Sequence, residues 1–324
     1  MNLMDKIKIC LNEMKDTLYD HPILGGLAAL GTLMISFKVL KTMRGVWRYV
    51  LRPSKNLSKV YGEKGAWAIV TGGSSGIGLA YAKALAKVGF NLLLIARNTT
   101  KLEEKRKEIL DESGKNPPEI QTLSFDFSKP YSQEYYNQLE EVMRDKSIAI
   151  LVNNVGLDYT CGFCDLPTKK LVEMMNVNIC ALTYLTKMVI PIMEKRKKRS
   201  AIIGISSTFT KTGMSQPAFY ITTKAYMDNL LRCLYHELKE KNIDVLNCLT
   251  GEVSTPSNPL KSIWHATAES VAKGHLSALG HDEETAGIIR HAFYKIFLKS
   301  CLSFSFKRWL IKTSREHTIN SFQK

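Results

Sequence analysis

The chain has 324 residues, of which 45% are hydrophobic and 23% are charged, and its formal net charge is +15. This length accommodates one α/β domain of about 250 residues with extensions, and the composition is ordinary for a globular protein. The basic charge suits a nucleic acid, a membrane surface or an anionic small molecule. Because no RNA-binding aromatic motif or zinc-finger spacing occurs, we expect no nucleic-acid partner.

An uncharged stretch at residues 22–37 predicts a membrane anchor. Val39 and Leu40 extend it past Lys38, and its length is near the lower limit of about 17 residues for a spanning helix. A signal peptide fits poorly, because acids are mixed with the lysines before the stretch and no clear cleavage site follows it. A buried helix or a peripheral helix is the alternative.

Basic residues are concentrated after this stretch, and they predict its orientation. Lys38, Lys41, Arg44, Arg48 and Arg52 follow it, whereas lysines and acids are mixed before it. By the positive-inside tendency, the C-terminal side faces the cytosol. We therefore expect residues 1–60 to form an N-terminal segment with a single-pass anchor at about 22–40 and a basic linker.

Strand-like and helix-like runs alternate from residue 65 onward, which predicts an α/β fold with a doubly wound parallel sheet. The strand-like runs are 67–71, 91–96, 122–125, 148–152, 201–205 and 244–249. Long helical runs cover 171–193 and 217–240. We place the main domain at residues 61–290.

A glycine-rich turn joins the first strand to its helix, and it reads Thr71-Gly72-Gly73-Ser74-Ser75-Gly76-Ile77-Gly78. A strand, such a turn and a helix form a phosphate cradle, because the helix N-terminus offers free N–H groups and partial positive charge. Gly72 permits the tight turn, Gly76 lets the backbone approach a pyrophosphate, and Gly78 lets helix and strand pack closely. The predicted cofactor contacts here are Gly72, Ser74, Ser75, Gly76, Ile77 and Gly78.

Arg97 follows the end of the second predicted strand. An acid at this point of such a fold would bind the adenosine ribose of NAD, whereas a basic residue can meet the 2′-phosphate of NADP. Arg97 therefore predicts NADPH as the cofactor, and an ordinary surface arginine is the alternative.

Tyr220 and Lys224 lie one turn apart in a predicted helix. They share a face, so the ammonium group can lie near the phenol. A nearby positive charge lowers a tyrosine pKa, which would make Tyr220 a proton donor to a carbonyl oxygen that receives a hydride. Ser207, or its neighbour Ser206, could hydrogen-bond the same oxygen. A surface helix turn is the alternative interpretation of the tyrosine–lysine pair.

Together these motifs resemble those of the short-chain dehydrogenase/reductase family, which also has a motif like Asn153-Asn154-Val155-Gly156 after the fourth strand. The resemblance implies a Rossmann-type fold and favours Ser207 over Ser206. It implies that Ser207 and Tyr220 bind the substrate, and that Lys224 binds the nicotinamide ribose. It also implies that Asn178 holds a water that relays protons to the lysine.

The resemblance implies further cofactor contacts. Asp126 would meet the adenine amino group, although on spacing alone it could equally cap the following helix. Asn153 would close around the cofactor, and Val253 and Thr255 would meet the nicotinamide amide and the phosphates. Thr250 stands where the family usually has proline.

The sequence also resembles the microsomal branch of this family, with the stretches Arg52-Pro53-Ser54-Lys55-Asn56-Leu57 and Leu94-Ile95-Ala96-Arg97-Asn98. That branch contains the very-long-chain 3-oxoacyl-CoA reductases of fatty-acid elongation and the 17β-hydroxysteroid dehydrogenases. The resemblance implies an NADPH-dependent ketone reductase of the endoplasmic reticulum membrane. An acyl-CoA is the favoured substrate, because its phosphates suit the basic charge, and a steroid ketone is the alternative.

The resemblance leaves the assembly open. Family members often pair through the two long helices, so a homodimer is one arrangement, and fatty-acid elongation enzymes are candidate partners. A non-catalytic cofactor-binding subunit of a lipid-synthesis complex is an alternative of another class. The joint presence of Ser207, Tyr220 and Lys224 argues against it. We expect residues 255–280 to form a lid over the substrate and residues 291–324 a basic amphipathic tail.

The seven cysteines are scattered along the chain, which suits a reducing compartment. Cys161 and Cys164 form a C-x-x-C pair, but no second pair lies nearby to complete a zinc site. We therefore expect free thiols and no metal.

Overall fold

The computed structural model describes residues 4–5, 8–9, 21–114, 116–159, 161–211, 217–256 and 263–300, with the backbone alone for residues 22 and 297–300. The chain divides into two compact units, Met1–Arg52 and Pro53–Lys324. Residues 257–262 of the predicted lid and residues 301–324 of the predicted tail lie outside the described residues.

The first unit contains helix α1, Pro22–Val46, and a π-helical turn, Trp47–Leu51. Large apolar side chains along α1 are more than half exposed, among them Leu27, Leu30 and Leu33. The segment Ile23–Leu51 is long and apolar enough to cross a membrane. The helix is therefore a candidate membrane anchor. Thr168–Glu194 passes the same test, but it is a core helix of the second unit with much of its apolar surface buried.

The second unit is built on a seven-stranded parallel sheet. Its strands are β1 (Ala66–Thr71), β2 (Asn91–Ala96), β3 (Ile120–Ser124), β4 (Ser147–Asn153), β5 (Ser200–Ser207), β6 (Ile243–Thr250) and β9 (Glu284–Thr285). Their order across the sheet is β3-β2-β1-β4-β5-β6-β9. A separate parallel pair consists of β7 (Val253–Ser254) and β8 (Ala266–Thr267). The predicted doubly wound parallel sheet is confirmed.

The central strands are buried on both faces, which explains their apolar sequences. Every residue of β1 and β5 is buried, as expected for parallel strands covered by helices on each side. Apolar runs made five of the six long strands recognisable, whereas β3 is partly polar (IQTLS) and begins at Ile120, two residues before the predicted run. The two-residue strand β9 has no such run, and the sequence did not predict it.

Helices cover both faces of the sheet. In chain order they are α2 (Leu57–Tyr61), α3 (Gly76–Lys87), α4 (Thr99–Glu112), α5 (Gln133–Met143), α6 (Thr168–Met175), α7 (Ala181–Glu194), α8 (Ala218–Glu237), α9 (Ala268–Ala278) and α10 (Ile289–Ser300). Leu85 of α3 and Leu276 of α9 belong to one core cluster. Leu139 of α5, Leu185 of α7 and Leu231 of α8 belong to the other.

Residues 53–60, which the sequence assigned to the linker, form part of the α/β unit. Leu57 and Tyr61 of α2 are buried in its core. The Tyr61 hydroxyl donates a hydrogen bond of 2.6 Å to Asp244 Oδ2. The helix predicted over 171–193 is divided, because a π-helical turn, Asn176–Cys180, joins α6 to α7.

The strand order reverses between β1 and β4. At such a point the connections leave the strands in opposite directions, and a crevice opens beyond the carboxyl ends. Thr71 ends β1 and Asn153 ends β4. The glycine-rich turn and the loop after Asn153 therefore meet at this crevice.

Candidate active site

The glycine-rich turn forms a close-packed cradle at the start of α3. Gly72 and Gly76 have φ angles of 68° and 54°, which glycine adopts without strain. A Cβ atom on Gly72 would lie 2.7 Å from Asn154 Nδ2, and one on Gly78 would collide with the Gly72 carbonyl oxygen. No side chain caps the N-terminus of α3. Its first N–H groups are thus available to a pyrophosphate, and the cradle fits a dinucleotide.

A cleft of about 610 Å³ runs from this cradle along the carboxyl edge of the sheet. The predicted site residues that line it are Gly72, Ser74, Ser75, Gly76, Ile77, Arg97, Asp126, Ser207, Tyr220, Lys224, Val253 and Thr255. Gly78 packs beneath the turn, and Asn178 is fully buried. One cleft therefore brings together most of the residues predicted for cofactor and substrate.

Thr71 and Asn154 join the ends of β1 and β4. The Thr71 hydroxyl donates to the Val152 carbonyl (3.2 Å) and accepts from the Asn154 N–H (2.9 Å). In return, Asn154 Nδ2 donates to the Thr71 carbonyl at 2.8 Å. The Asn153 side chain lies on the other side of the strand and donates to Thr186 Oγ1 of α7 at 3.1 Å. The structure thus places Asn154, which the sequence did not select, at the cleft.

The adenosine end of the cleft is formed by the loops after β2 and β3. Arg97 is exposed and lines the cleft together with Lys101. Asp126 Oδ1 accepts hydrogen bonds from the Ser128 N–H (3.0 Å) and hydroxyl (2.8 Å). Asp126 does not cap the following helix, because Ser132 accepts the capping bond from the Tyr135 N–H.

Tyr220 and Ser207 form the reacting end of the cleft. Both residues line the cleft, and the interaction of the Ser207 hydroxyl with the phenol lowers the tyrosine pKa. Burial is the largest influence and raises that pKa, and the Asp158 carboxylate raises it further. The pKa of Tyr220 is therefore well above its ordinary value. The sequence predicts that Lys224 lowers the tyrosine pKa. In the structure, burial and the Asp158 charge outweigh that influence. Tyr220 is therefore a protonated phenol at neutral pH, which is the form that can donate a proton.

Lys224 is buried behind Tyr220. Its Nζ atom lies 5.9 Å from the centre of the tyrosine ring and donates a 2.8 Å hydrogen bond to the Ile205 carbonyl. Burial lowers the pKa of Lys224 to about 8, against the charges of Asp158 and Asp228, which raise it. A Cβ on Gly156 would come within 3.3 Å of Nζ, so glycine leaves the room that the ammonium group needs.

Asn178 lies in the π-helical turn and is fully buried. Its Oδ1 accepts from the Leu157 N–H (2.8 Å), and its Nδ2 donates to the Leu157 carbonyl (2.9 Å) and to Thr223 Oγ1 (3.0 Å). The side chain therefore holds the loop after β4 against α8. Such turns are frequent at functional sites, and a helical pattern in the sequence does not reveal them.

Asp158 is a cleft residue that the sequence analysis missed. It lies in the loop that Asn178 holds, and it lines the cleft with Tyr220 and Lys224. Asp158 is exposed at the cleft, and partial desolvation of its carboxyl raises the pKa to about 6, although the Lys224 ammonium acts in the opposite direction. The only sequence signal was an acid shortly after Asn153-Asn154-Val155-Gly156.

Val253 and Thr255 also line the cleft. A Cβ on Gly76 would lie 3.1 Å from Thr255 Cγ2, so the loop after β6 reaches the glycine-rich turn. Cys161 and Cys164 are free thiols. Within the described residues, no group of three or more His, Cys, Asp or Glu side chains could hold a metal ion.

The family model described as short chain dehydrogenase matches residues 66–265. The chain belongs to the short-chain dehydrogenase/reductase family. The matched range contains the glycine-rich turn, Asn178, Ser207, Tyr220 and Lys224. The fold is thus that of an oxidoreductase of this family, and its cleft is where members of the family bind NAD(P)H.

Curated relatives extend the match beyond that range. The chain is 37% identical over 250 residues to the inactive hydroxysteroid dehydrogenase-like protein 1 of Homo sapiens, covering 75% of this chain and 73% of that protein. It is 30% identical over 308 residues to the very-long-chain 3-oxoacyl-CoA reductase of Homo sapiens, covering 92% and 95%.

Among solved structures, the chain resembles a short-chain dehydrogenase from Sphingobium yanoikuyae in complex with NADPH. The TM-score is 0.59 at 26% identity, and the match covers 66% of this chain and 84% of that one. The similarity supports both the fold and the position of the cofactor cleft.

Proposed function

We propose that the protein is an NADPH-dependent reductase that converts the ketone of a very-long-chain 3-oxoacyl-CoA to an alcohol at the endoplasmic reticulum membrane. The observation that carries this proposal is the placement of Ser207 and Tyr220 in one cleft, with Lys224 buried behind the tyrosine ring. When bound, the reduced nicotinamide supplies a hydride to the carbonyl carbon. The protein must then hold the carbonyl oxygen and supply its proton.

The three side chains divide this work. Ser207 would donate a hydrogen bond to the carbonyl oxygen and stabilise its developing charge. Tyr220, protonated at neutral pH, would transfer its proton to that oxygen. Lys224 is largely cationic at neutral pH, since its pKa is about 8. It would bind the nicotinamide ribose and stabilise the phenolate that the transfer leaves behind. Asn178 would keep the loop after β4 in place.

The preference for NADPH rests on charge. Arg97 and Lys101 line the adenosine end of the cleft, and the residue after β2 is a base rather than an acid. An arginine can bind a phosphate through two parallel hydrogen bonds. The cleft residues Ser74, Ser75, Ile77, Asp126, Val253 and Thr255 would complete the cofactor contacts.

The substrate and location rest on the relatives and on α1. The 3-oxoacyl-CoA reductase of Homo sapiens aligns over nearly the whole chain. The exposed apolar helix α1 would anchor the protein, with the basic residues after it on the cytosolic side. A membrane-bound enzyme is suited to an acyl chain that partitions into lipid. A homodimer and contacts with other elongation enzymes remain part of this proposal.

A steroid ketone is the second candidate, because other relatives carry the name hydroxysteroid dehydrogenase-like protein. Several of these relatives are named inactive, which favours a non-catalytic cofactor-binding subunit as the rival from another class. This chain nevertheless places Ser207, Tyr220 and Lys224 together in its cleft. A protein without turnover would have no chemical need for that arrangement.

The test is NADPH oxidation by the detergent-solubilised full chain, with a long-chain 3-oxoacyl-CoA and a 17-ketosteroid in parallel. Turnover of the acyl-CoA alone supports the proposal, and turnover of the steroid alone replaces it with the second candidate. NADPH binding without turnover of either compound would favour the non-catalytic subunit.

A further inference from the structure

Helix α10 contacts the loop that follows β6, at residues outside the glycine-rich turn and the catalytic side chains. The loop residues Gly251 and Glu252 line the cleft, as do Thr250 at the end of β6 and Val253 at the start of β7. The contacts come from His291 and Tyr294, which are 0% and 6% exposed. A backbone segment that borders a cofactor cleft is thus held by a helix near the end of the described chain.

His291 binds the loop backbone through both ring nitrogens. The Gly251 N–H lies 3.1 Å from Nδ1, and the Glu252 carbonyl oxygen lies 3.1 Å from Nε2. A backbone N–H can only donate and a carbonyl can only accept. The two contacts therefore fix a neutral ring with its proton on Nε2.

Protonation of this ring would place a proton on Nδ1, directly opposite the Gly251 N–H, and the hydrogen bond between them would be lost. Burial lowers the pKa of His291 to about 4, although the hydrogen bond to Glu252 acts in the opposite direction. The ring is therefore neutral near pH 7. Gly251 is also required here, because a Cβ at this position would lie 2.6 Å from His291 Cδ2.

The Glu252 carboxylate makes the second set of contacts. Its Oε1 accepts from the Tyr294 hydroxyl at 3.0 Å, and its Oε2 lies 3.2 Å from His265 Nδ1. Arg290, the residue before His291, donates to the His265 carbonyl oxygen. The Ala266 N–H of β8 also donates to the Glu252 carbonyl oxygen at 3.1 Å. Glu252 is thus held by α10, by His265 and by the first residue of β8.

Tyr294 also reaches the loop on the other side of the reacting end. Its ring packs edge-on to Phe209 at 6.2 Å and against Trp264 at 5.2 Å. Phe209 lies in the turn directly after Ser207, and its N–H donates to the Ser207 hydroxyl at 3.3 Å. One helix therefore contacts the loops after both β5 and β6.

We infer that α10 is a positioning element of the cofactor site: His291, with Tyr294 and Glu252, holds the loop after β6 in the shape that receives the nicotinamide half of the cofactor. This inference rests on the proposed function in that the cleft must bind NADPH. The residues act through the loop backbone and need not touch the reacting atoms.

The test compares two substitutions of buried histidines in the full chain. His291→Phe keeps an aromatic ring but removes the two hydrogen bonds that the imidazole makes to Gly251 and Glu252. His275→Phe, in α9, removes another fully buried imidazole, which has no hydrogen-bond partner among the described residues. The Kd for NADPH is measured by fluorescence, at a temperature where both variants are folded. Hydrogen exchange of a peptide covering residues 250–254 is measured without cofactor.

We expect His291→Phe to raise the Kd by roughly tenfold, since two hydrogen bonds are lost, and to speed exchange of the 250–254 peptide. His275→Phe should change neither. If His291→Phe does not fold, Tyr294→Phe replaces it, with a smaller rise in Kd and the same faster exchange.

Unchanged Kd and unchanged exchange in the folded loop variant would overturn the inference and leave α10 a purely structural helix. A wild-type chain that does not bind NADPH at all would instead overturn the proposed cofactor. The exchange measurement would still show whether α10 holds the loop.

Discussion

Lys224 Nζ lies 5.9 Å from the ring centre of Tyr220, while burial and the Asp158 carboxylate hold the pKa of the Tyr220 phenol above its ordinary value. The Tyr220 phenol is therefore protonated at neutral pH and can act as a proton donor. Reduction of a ketone consumes a proton at the carbonyl oxygen, so this arrangement suits the reductive direction.

Removal of the phenolic hydroxyl should stop the chemical step but not cofactor binding. We expect Tyr220→Phe to lower kcat for ketone reduction by about 10²-fold or more, with the Kd for NADPH nearly unchanged. The matched control is Tyr226→Phe on the same helix, where the hydroxyl contacts Thr183 outside the cleft. Full activity in Tyr220→Phe would exclude the proposed mechanism.

Asp158 should control the pH dependence of the reverse reaction, alcohol oxidation. Because its charge raises the pKa values of Tyr220 and Lys224, Asp158→Asn should lower both. The rise of kcat/KM with pH, which follows ionisation of Tyr220, should then move to lower pH by up to about one unit. Asp165→Asn, a nearby exposed position, is the control.

The two pH profiles should also converge in acid. Asp158 has a pKa of about 6, so below that pH the wild-type carboxyl is neutral and resembles asparagine. Above it the wild-type residue is charged and the profiles should separate. Profiles that differ by a constant factor at every pH would indicate a steric role for Asp158 instead.

Arg97 should determine the choice of cofactor. Arg97→Asp removes a phosphate ligand and adds a carboxylate that can bind a ribose hydroxyl. We expect the KM for NADPH to rise by about tenfold to a hundredfold, while the KM for NADH falls or stays constant. Lys107→Asp makes the same charge change at an exposed position of α4 outside the cleft. An equal change in both KM values would refute the assignment.

The buried histidines should make the fold sensitive to mild acid. Burial lowers the pKa of His275 to about 3 and that of His291 to about 4, whereas an unfolded histidine titrates near 6.5. As the pH falls below 6.5 the unfolded chain binds protons that the folded chain does not. Stability is therefore full above that value and declines toward the folded pKa values.

Each of these histidines should lower the free energy of unfolding by about 2 kcal/mol between pH 6.5 and pH 5. Urea unfolding of wild type and His275→Phe at the two pH values measures this contribution. The phenylalanine variant should lose less stability on acidification, because it lacks one of the titrating groups. An identical loss in both proteins would contradict the assignment to His275.

Helix α1 should determine membrane association. Arginine at the centre of a spanning helix costs about 2.5–3.5 kcal/mol, so the double substitution Leu30→Arg and Leu33→Arg should release the protein from carbonate-washed membranes. Leu30→Met with Leu33→Met is the apolar control and should remain in the pellet. Retention of the arginine variant would show that other parts of the chain hold it there.

Local patterns predicted much of this structure. Buried parallel strands appear as continuous apolar runs, and the glycine turn and the Tyr220–Lys224 spacing are each contained within a few residues. These features depend on neighbours in the sequence, so a single sequence contains the information needed to recognise them.

The features that were missed depend on residues far apart in the chain. The contact between His291 and Gly251 joins α10 to the loop after β6. The sequence around either residue contains no pattern that would predict this contact. The upward shift of the Tyr220 pKa comes first from burial and then from Asp158, and neither can be recognised from the residues next to Tyr220. The family resemblance selected Asn153 for the cofactor, whereas the structure places Asn154 at the cleft and the Asn153 side chain against Thr186.

The π-helical turn at Asn176–Cys180 has a consequence for insertions and deletions. Residues of an α-helix are separated by about 100° around the axis, and the wider turn accommodates one residue more than an α-helical turn would. Deletion of a single residue here would restore regular α-helix with α7 close to its present rotation, because the wider turn already takes up the extra residue. The deletion would remove the local backbone that directs Asn178 toward Leu157. We therefore expect it to leave the packing of α7 on the sheet in place and to release the loop after β4.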